Sequence, residues 1–150
     1  MPTTLQWYVR TAMLYIAAAM VLAVLYQVDQ VTHWFGYSPY LIVVHSHLAL
    51  VGGVIQMIMG VGLWMFPLTV PVDRRLQYRE SLAWLTYGLY NGGLLGRFAA
   101  EYQFRTTGSG WWGALTILTG AMQLAAFAVF LYHAWSLRLS KRAQQPNPNG

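Results

Sequence analysis

The sequence predicts an all-α integral membrane four-helix bundle with both termini cytoplasmic, and three observations carry that prediction. Of its 150 residues, 57% are hydrophobic and only 9% charged. An ordinary soluble domain carries about 25% charged residues, so this chain has too few to cover a water-facing surface. Four apolar runs are each long enough for a hydrocarbon core of about 30 Å, which takes about 20 helical residues to cross. Seven Trp and ten Tyr form an aromatic excess of the kind that lines membrane–water interfaces. Irregular backbone cannot face lipid, so the runs pack as one helical domain over residues 1–143, a length that suits a single domain.

The first run covers about residues 7–28, from Trp7 to Val28. Its only basic residue is Arg10, its apolar stretch is long, and no clear small-x-small cleavage site closes that stretch before Asp29. It therefore reads as a retained helix, not a cleaved leader. The second run, 40–66, follows Gly36, Ser38 and Pro39 and stops before Pro67 and Pro71, residues that punctuate helices. The third, 81–104, is less apolar. The fourth, 111–137, follows the turn-forming Thr107, Gly108, Ser109 and Gly110. The polar tail 144–150, with two prolines, is expected to be disordered.

Charge orients the bundle. Arg10, Arg74, Arg75, Arg79, Arg138, Lys141 and Arg142 fall on one side of the predicted membrane and Arg105 on the other. The positive-inside rule places both termini in the cytoplasm, in a multi-pass protein of a bacterial inner membrane with His33 facing out. The same distribution sets aside nucleic acid as the partner of the +5 net charge and leaves the lipid bilayer. The absence of cysteine excludes disulfides, thiolate metal sites and covalently attached haem of the C-x-x-C-H kind.

The segment most suggestive of chemistry is His45-Ser46-His47. Ionisable or coordinating side chains inside a membrane are rare and mark function, although each imidazole can equally be a hydrogen-bonding group between helices. At about 100° per residue the two histidines point roughly 200° apart, so a regular helix does not let them chelate one ion. His45 shares a face with Ala49, Gly52, Gly53, Gln56 and Gly60, a small and partly polar face that fits the bundle interior. His47 shares its face with Val51, Val54, Ile58 and Val61, which fits lipid or a subunit interface. Glycines on a membrane helix permit close packing; beside a histidine they also leave room for a flat macrocycle. The third run has Gly88, Gly92, Gly93 and Gly96 around Asn91.

Arg97 and Glu101 stand one turn apart in the outer half of the third run. They form either an i, i+4 ion pair or an anion site in which Glu101 orients Arg97 toward a haem propionate. By helical rise, His45 and Arg97 both fall in the outer third of the bilayer. Thr116, Thr119 and Gln123 descend the fourth run and either hydrogen-bond across helices or line a polar pocket, with packing between helices the first reading. His133 lies near the cytoplasmic side beside Trp135 and Arg138 and reads as an interfacial anchor. Met122 is kept as a remote axial-ligand candidate. A P-loop, an H-E-x-x-H zinc motif and a nucleophile elbow are all missing. Glu101 as a single intramembrane carboxylate supplies no carboxylate chain for proton pumping.

The stretch His45-Ser46-His47-Leu48-Ala49-Leu50-Val51-Gly52-Gly53, followed by Gly60-Val61-Gly62-Leu63-Trp64-Met65-Phe66-Pro67, resembles the H-x-H-L-x-x-x-G helix of small four-helix proteins related to subunit I of haem-copper oxidases. It also resembles the NnrS family, membrane proteins containing haem and copper and linked to nitric oxide. The resemblance covers the second run well and about half the chain in all. It implies that His45 or His47 is an axial ligand of one b-type haem, with copper as the other metal to consider. A full oxidase subunit has many more helices, a distant second haem ligand and a histidine copper centre, so the chain is not expected to be a complete enzyme on its own. The expectations are a haem b protein for electron transfer or diatomic gas binding, dimeric or completed by a partner subunit, or a cofactor-free accessory or assembly subunit of a respiratory complex. A transporter ranks last, because the polar residues cluster in the outer half instead of running through the full depth.

Overall fold

The computed structural model describes residues 2–34, 40–65 and 79–143, with the side chains of Tyr40 and of 136–143 left aside. The described elements are all helical. Helix α1 spans Thr3–Thr32. A second rod consists of α2, Tyr40–His47, a π-helical segment, Leu48–Ile55, and α3, Gln56–Met65. Helices α4, Glu80–Thr107, and α5, Gly110–Ala143, complete the four. Three rods, Thr3–Thr32, Leu41–Met65 and Gly110–Trp135, are long and apolar enough to cross a membrane. α4 is as long but less apolar, since Asn91, Arg97, Glu101 and Arg105 interrupt it.

The rods run up and down between two ends. We call the end where α1 begins basal and the end where it finishes apical. α1 begins at Thr3 and ends at Thr32, beyond its apolar stretch on both sides, because the flanking Thr, Gln and Asp side chains still permit a helical backbone. His33 closes it in the left-handed conformation, φ 54°, with its N–H donated to Asp29 O at 2.8 Å. α4 closes in the same way on Gly108, φ 65°, where the missing Cβ removes the steric cost. Several expectations fall outside the described residues: the turns at Gly36, Ser38, Pro39, Pro67 and Pro71, the end of the second span at Phe66, Arg74, Arg75 and the tail 144–150. The side chains of Arg138, Lys141 and Arg142 do too.

The bundle is built from two hairpins, α1 with the α2–π–α3 rod and α4 with α5. Each is drawn together at glycines. A Cβ on Gly60 would lie 2.6 Å from Tyr8 Cβ, and one on Gly93 would lie 2.8 Å from Thr119 O, so only glycine allows these approaches. Leu5, Tyr8, Met59, Leu63, Ala83, Tyr90, Ala126 and Phe130 form a buried cluster in the basal half. Tyr8 meets Tyr87 edge to face with centroids 5.1 Å apart, a favoured aromatic geometry.

Among the described residues, five hydrogen bonds tie the first hairpin to α4. Thr4 Oγ1 donates to Glu80 Oε1 at 2.9 Å and Tyr8 OH to Ala83 O at 3.0 Å. Tyr87 OH donates to Thr11 Oγ1 at 3.3 Å and Tyr15 OH to Asn91 Oδ1 at 2.8 Å. Tyr90 OH donates to Val51 O in the π segment at 2.9 Å. All five lie between the basal end and the level of Asn91. Trp7, Trp64, Trp84 and Trp135 stand exposed near the basal end, and Trp34 and Trp111 near the apical end. Along α5 the two belts are about 36 Å apart by helical rise.

Candidate functional site

His45 is the last but two residue of α2, just before the backbone widens into the π segment. Its Nδ1 lies 2.8 Å from Ala19 O of α1. A carbonyl only accepts, so Nδ1 carries the hydrogen, and in the neutral ring the lone pair is on Nε2. His47 makes the same kind of bond, Nδ1 to Val43 O at 2.9 Å, but within its own helix. The neighbouring helix therefore fixes the ring of His45, whereas local backbone alone fixes that of His47. Both are half-buried.

On the face expected to point inward, Gly52, Gly53, Gln56 and Gly60 are buried, as is Leu48, and Ala49 is half-buried; on the face expected to meet lipid or a subunit, Val54 and Ile58 are exposed, but Val51 and Val61 are half-buried and Val51 packs against the core. Leu48, Gly52, Gly53 and Gln56 share one side across the π segment and its junction with α3. That side is filled. Tyr15 lies against Gly52, where a Cβ would meet its ring at 2.8 Å, and Ile16 covers Gly53 more closely still. Gln56 Nε2 donates to Tyr8 O at 3.3 Å and to Thr11 Oγ1. These three positions thus serve close packing against α1.

Arg97 and Glu101 form the i, i+4 ion pair, with Nε to Oε2 at 3.6 Å. Arg105, not singled out from the sequence, binds the same carboxylate more tightly, donating from Nε at 3.2 Å and Nη2 at 2.9 Å to Oε1. Leu94 touches the space at Gly52, which sets α4 and the second rod in register. Counting seven residues apically from each puts Glu101 and His45 at one level, about 10 Å above that contact. Arg97 starts one turn lower and extends toward Glu101.

On α5, Thr116 Oγ1 bonds Trp112 O at 2.9 Å and Thr119 Oγ1 bonds Leu115 O at 3.0 Å. Both hydroxyls are thus satisfied within their own helix, and Thr119 meets α4 through its packing on Gly93 and Gly96. Met122 reaches Gly92 on the same seam. His133 is buried instead of anchoring at a surface, and its Nε2 accepts the Arg79 backbone N–H at 3.1 Å, where α4 begins. His33 is exposed.

Two features were not anticipated. Asp29 is buried within the last turn of α1, so Glu101 is not the only carboxylate inside the helical region; its place four residues before the helix-closing His33 was the available signal. The tyrosines that join the hairpins, Tyr15, Tyr87 and Tyr90, read in sequence as part of the general aromatic excess. Among the described residues, no group of three His, Asp or Glu is placed to hold a metal ion. No protein-family model, curated protein or solved structure matches the chain.

Proposed function

We propose that the chain is a multi-pass protein of a bacterial inner membrane, with cytoplasmic termini, that binds one b-type haem through His45 for electron transfer or diatomic gas binding. Its apolar rods and the two tryptophan belts support the membrane placement. The observation that supports the haem is the hydrogen bond from His45 Nδ1 to Ala19 O. Histidines that ligate a metal commonly donate their other ring N–H to a carbonyl or carboxylate, which fixes the ring and raises the basicity of the ligating nitrogen.

The donor set fits a single axial position. Bound haem supplies one-electron chemistry and, with one ligand, a free coordination position for a gas. Ala19 O orients His45, and α1 keeps that orientation by packing Tyr15 and Ile16 on Gly52 and Gly53. Because those side chains occupy the glycine face, a haem held by His45 would have to lie apical to it. A homodimer or a partner subunit would supply a second ligand. Copper shared by His45 and His47 is the weaker alternative, since their rings are held by different helices. On this reading the protein works within an oxidoreductase system and is not a complete enzyme by itself.

The test is haem titration of the protein purified in nonionic detergent. The proposal expects a saturable Soret band, retained in His47→Ala and lost in His45→Ala while the helical circular dichroism stays unchanged. A band retained in both variants, or none in well-folded wild type, removes the proposal. The filled glycine face and the two hydrogen bonds that the Gln56 amide nitrogen gives to α1 favour a second reading, a cofactor-free accessory subunit, which the colourless outcome would support.

A further inference from the structure

A second polar feature lies on the seam between α4 and α5 and does not depend on haem at His45. Arg97 Nε is buried with no hydrogen-bond acceptor, and its ion pair with Glu101 at 3.6 Å is too long to be a hydrogen bond. Glu101 is meanwhile held by two hydrogen bonds from Arg105. Two guanidinium groups therefore share one carboxylate, which leaves one positive charge in excess. Arg97 is the poorly satisfied partner, with about two thirds of its side chain covered. An uncompensated charge in a low-dielectric setting is costly.

A neutral donor faces the same seam. Gln123 Nε2 is buried with no acceptor, and its Cγ fills the space over Gly93, one turn basal to Arg97. Arg97 Nη1 lies over Gly120, 3.9 Å from where a Cβ would be, and Gly120 is one turn from Gln123. Thus a guanidinium and an amide N–H stand within about a turn of each other, beside a residue with no side chain of its own.

We propose that Arg97 and Gln123 form a receptor for the single carboxylate of an amphiphile whose apolar body lies along the α4–α5 seam. A carboxylate supplies the missing negative charge and matches the guanidinium fork. Its remaining lone pairs accept from the Gln123 amide. Arg97 is about 20 Å along α4 from the basal Trp84, by helical rise, which places it within the apolar depth of the bundle. That depth selects a carboxylate at the end of a chain over the phosphate of a lipid headgroup.

The experiment is thermal unfolding of the detergent-solubilised protein with oleate, with methyl oleate and with dioleoylphosphatidylglycerol. A ligand that binds only the folded state raises the midpoint in a concentration-dependent way. Oleate is expected to raise it by several degrees and the two other lipids not to. Arg97→Gln is expected to weaken oleate about tenfold or more, the usual consequence of losing a charged hydrogen bond. Gln123→Leu should weaken it less, and Arg105→Gln should also weaken it, because it frees Glu101 to neutralise Arg97. An equal shift with methyl oleate, an equal shift with the phospholipid, or full oleate affinity in both Arg97→Gln and Gln123→Leu would overturn the proposal.

Discussion

The basal and apical halves of the bundle use polar residues for opposite purposes. In the basal half, Thr4, Tyr8, Tyr15, Tyr87 and Tyr90 make hydrogen bonds between the first hairpin and α4. In the apical half, His45 bonds within its hairpin, and His47, Thr116 and Thr119 bond their own helices. Glu101 joins two arginines of the same helix. A hydrogen bond between helices replaces an unsatisfied polar group in hydrocarbon and so supports association. A polar group satisfied locally leaves its remaining valence for something else. The basal half is therefore assigned to holding the fold and the apical half to binding.

The largest expected effect comes from breaking a close approach. Gly60→Leu must push Tyr8 and α1 away from α3, since even a Cβ meets Tyr8 at 2.6 Å. Overpacking of this kind costs about 3 kcal/mol, visible as a lowered unfolding midpoint. Tyr90→Phe should cost about 1 kcal/mol, as it removes a single interhelical bond to Val51 O. If it costs nothing, the basal ties are incidental and the comparison weakens. Arg105→Gln, at an exposed apical position, should change stability by less than about 1 kcal/mol, the usual range for surface ion pairs. Smallest is Gly88→Ala: nothing lies within 4 Å of the new Cβ, so the gain in helix propensity, up to about 1 kcal/mol, is unopposed. A marked loss there would reveal a covering partner.

The same contrast explains what could be read before the structure. The four rods were legible because length and apolarity decide a span almost alone, and the inward face of Gly52, Gly53, Gln56 and Gly60 was legible from spacing. The widening at Leu48–Ile55 was not, and neither was the packing of Tyr15 and Ile16 of another helix on Gly52 and Gly53. That same packing turned a face read as room for a macrocycle into a filled interface. His45 stood out as a candidate, but its bond to Ala19 O could not be foreseen, since it depends on the register between α1 and α2. Arg105 was readable as i+4 from Glu101 but reads in sequence only as the lone basic residue on the outer side, since the expected third run ends at 104. His133 was misread as an anchor because its position near Trp135 suggests an interface, whereas the start of α4 folds over it and donates the Arg79 N–H.

The most direct test of the division between halves is to measure unfolding midpoint and haem-titration spectrum side by side for Tyr90→Phe and His45→Ala. The account predicts a crossed result. Tyr90→Phe should lower the midpoint and keep the Soret band, and His45→Ala should lose the band and unfold near the wild-type temperature. If His45→Ala keeps the band, or is destabilised as much as Tyr90→Phe, then His45 is another structural tie and the apical half is not a binding region.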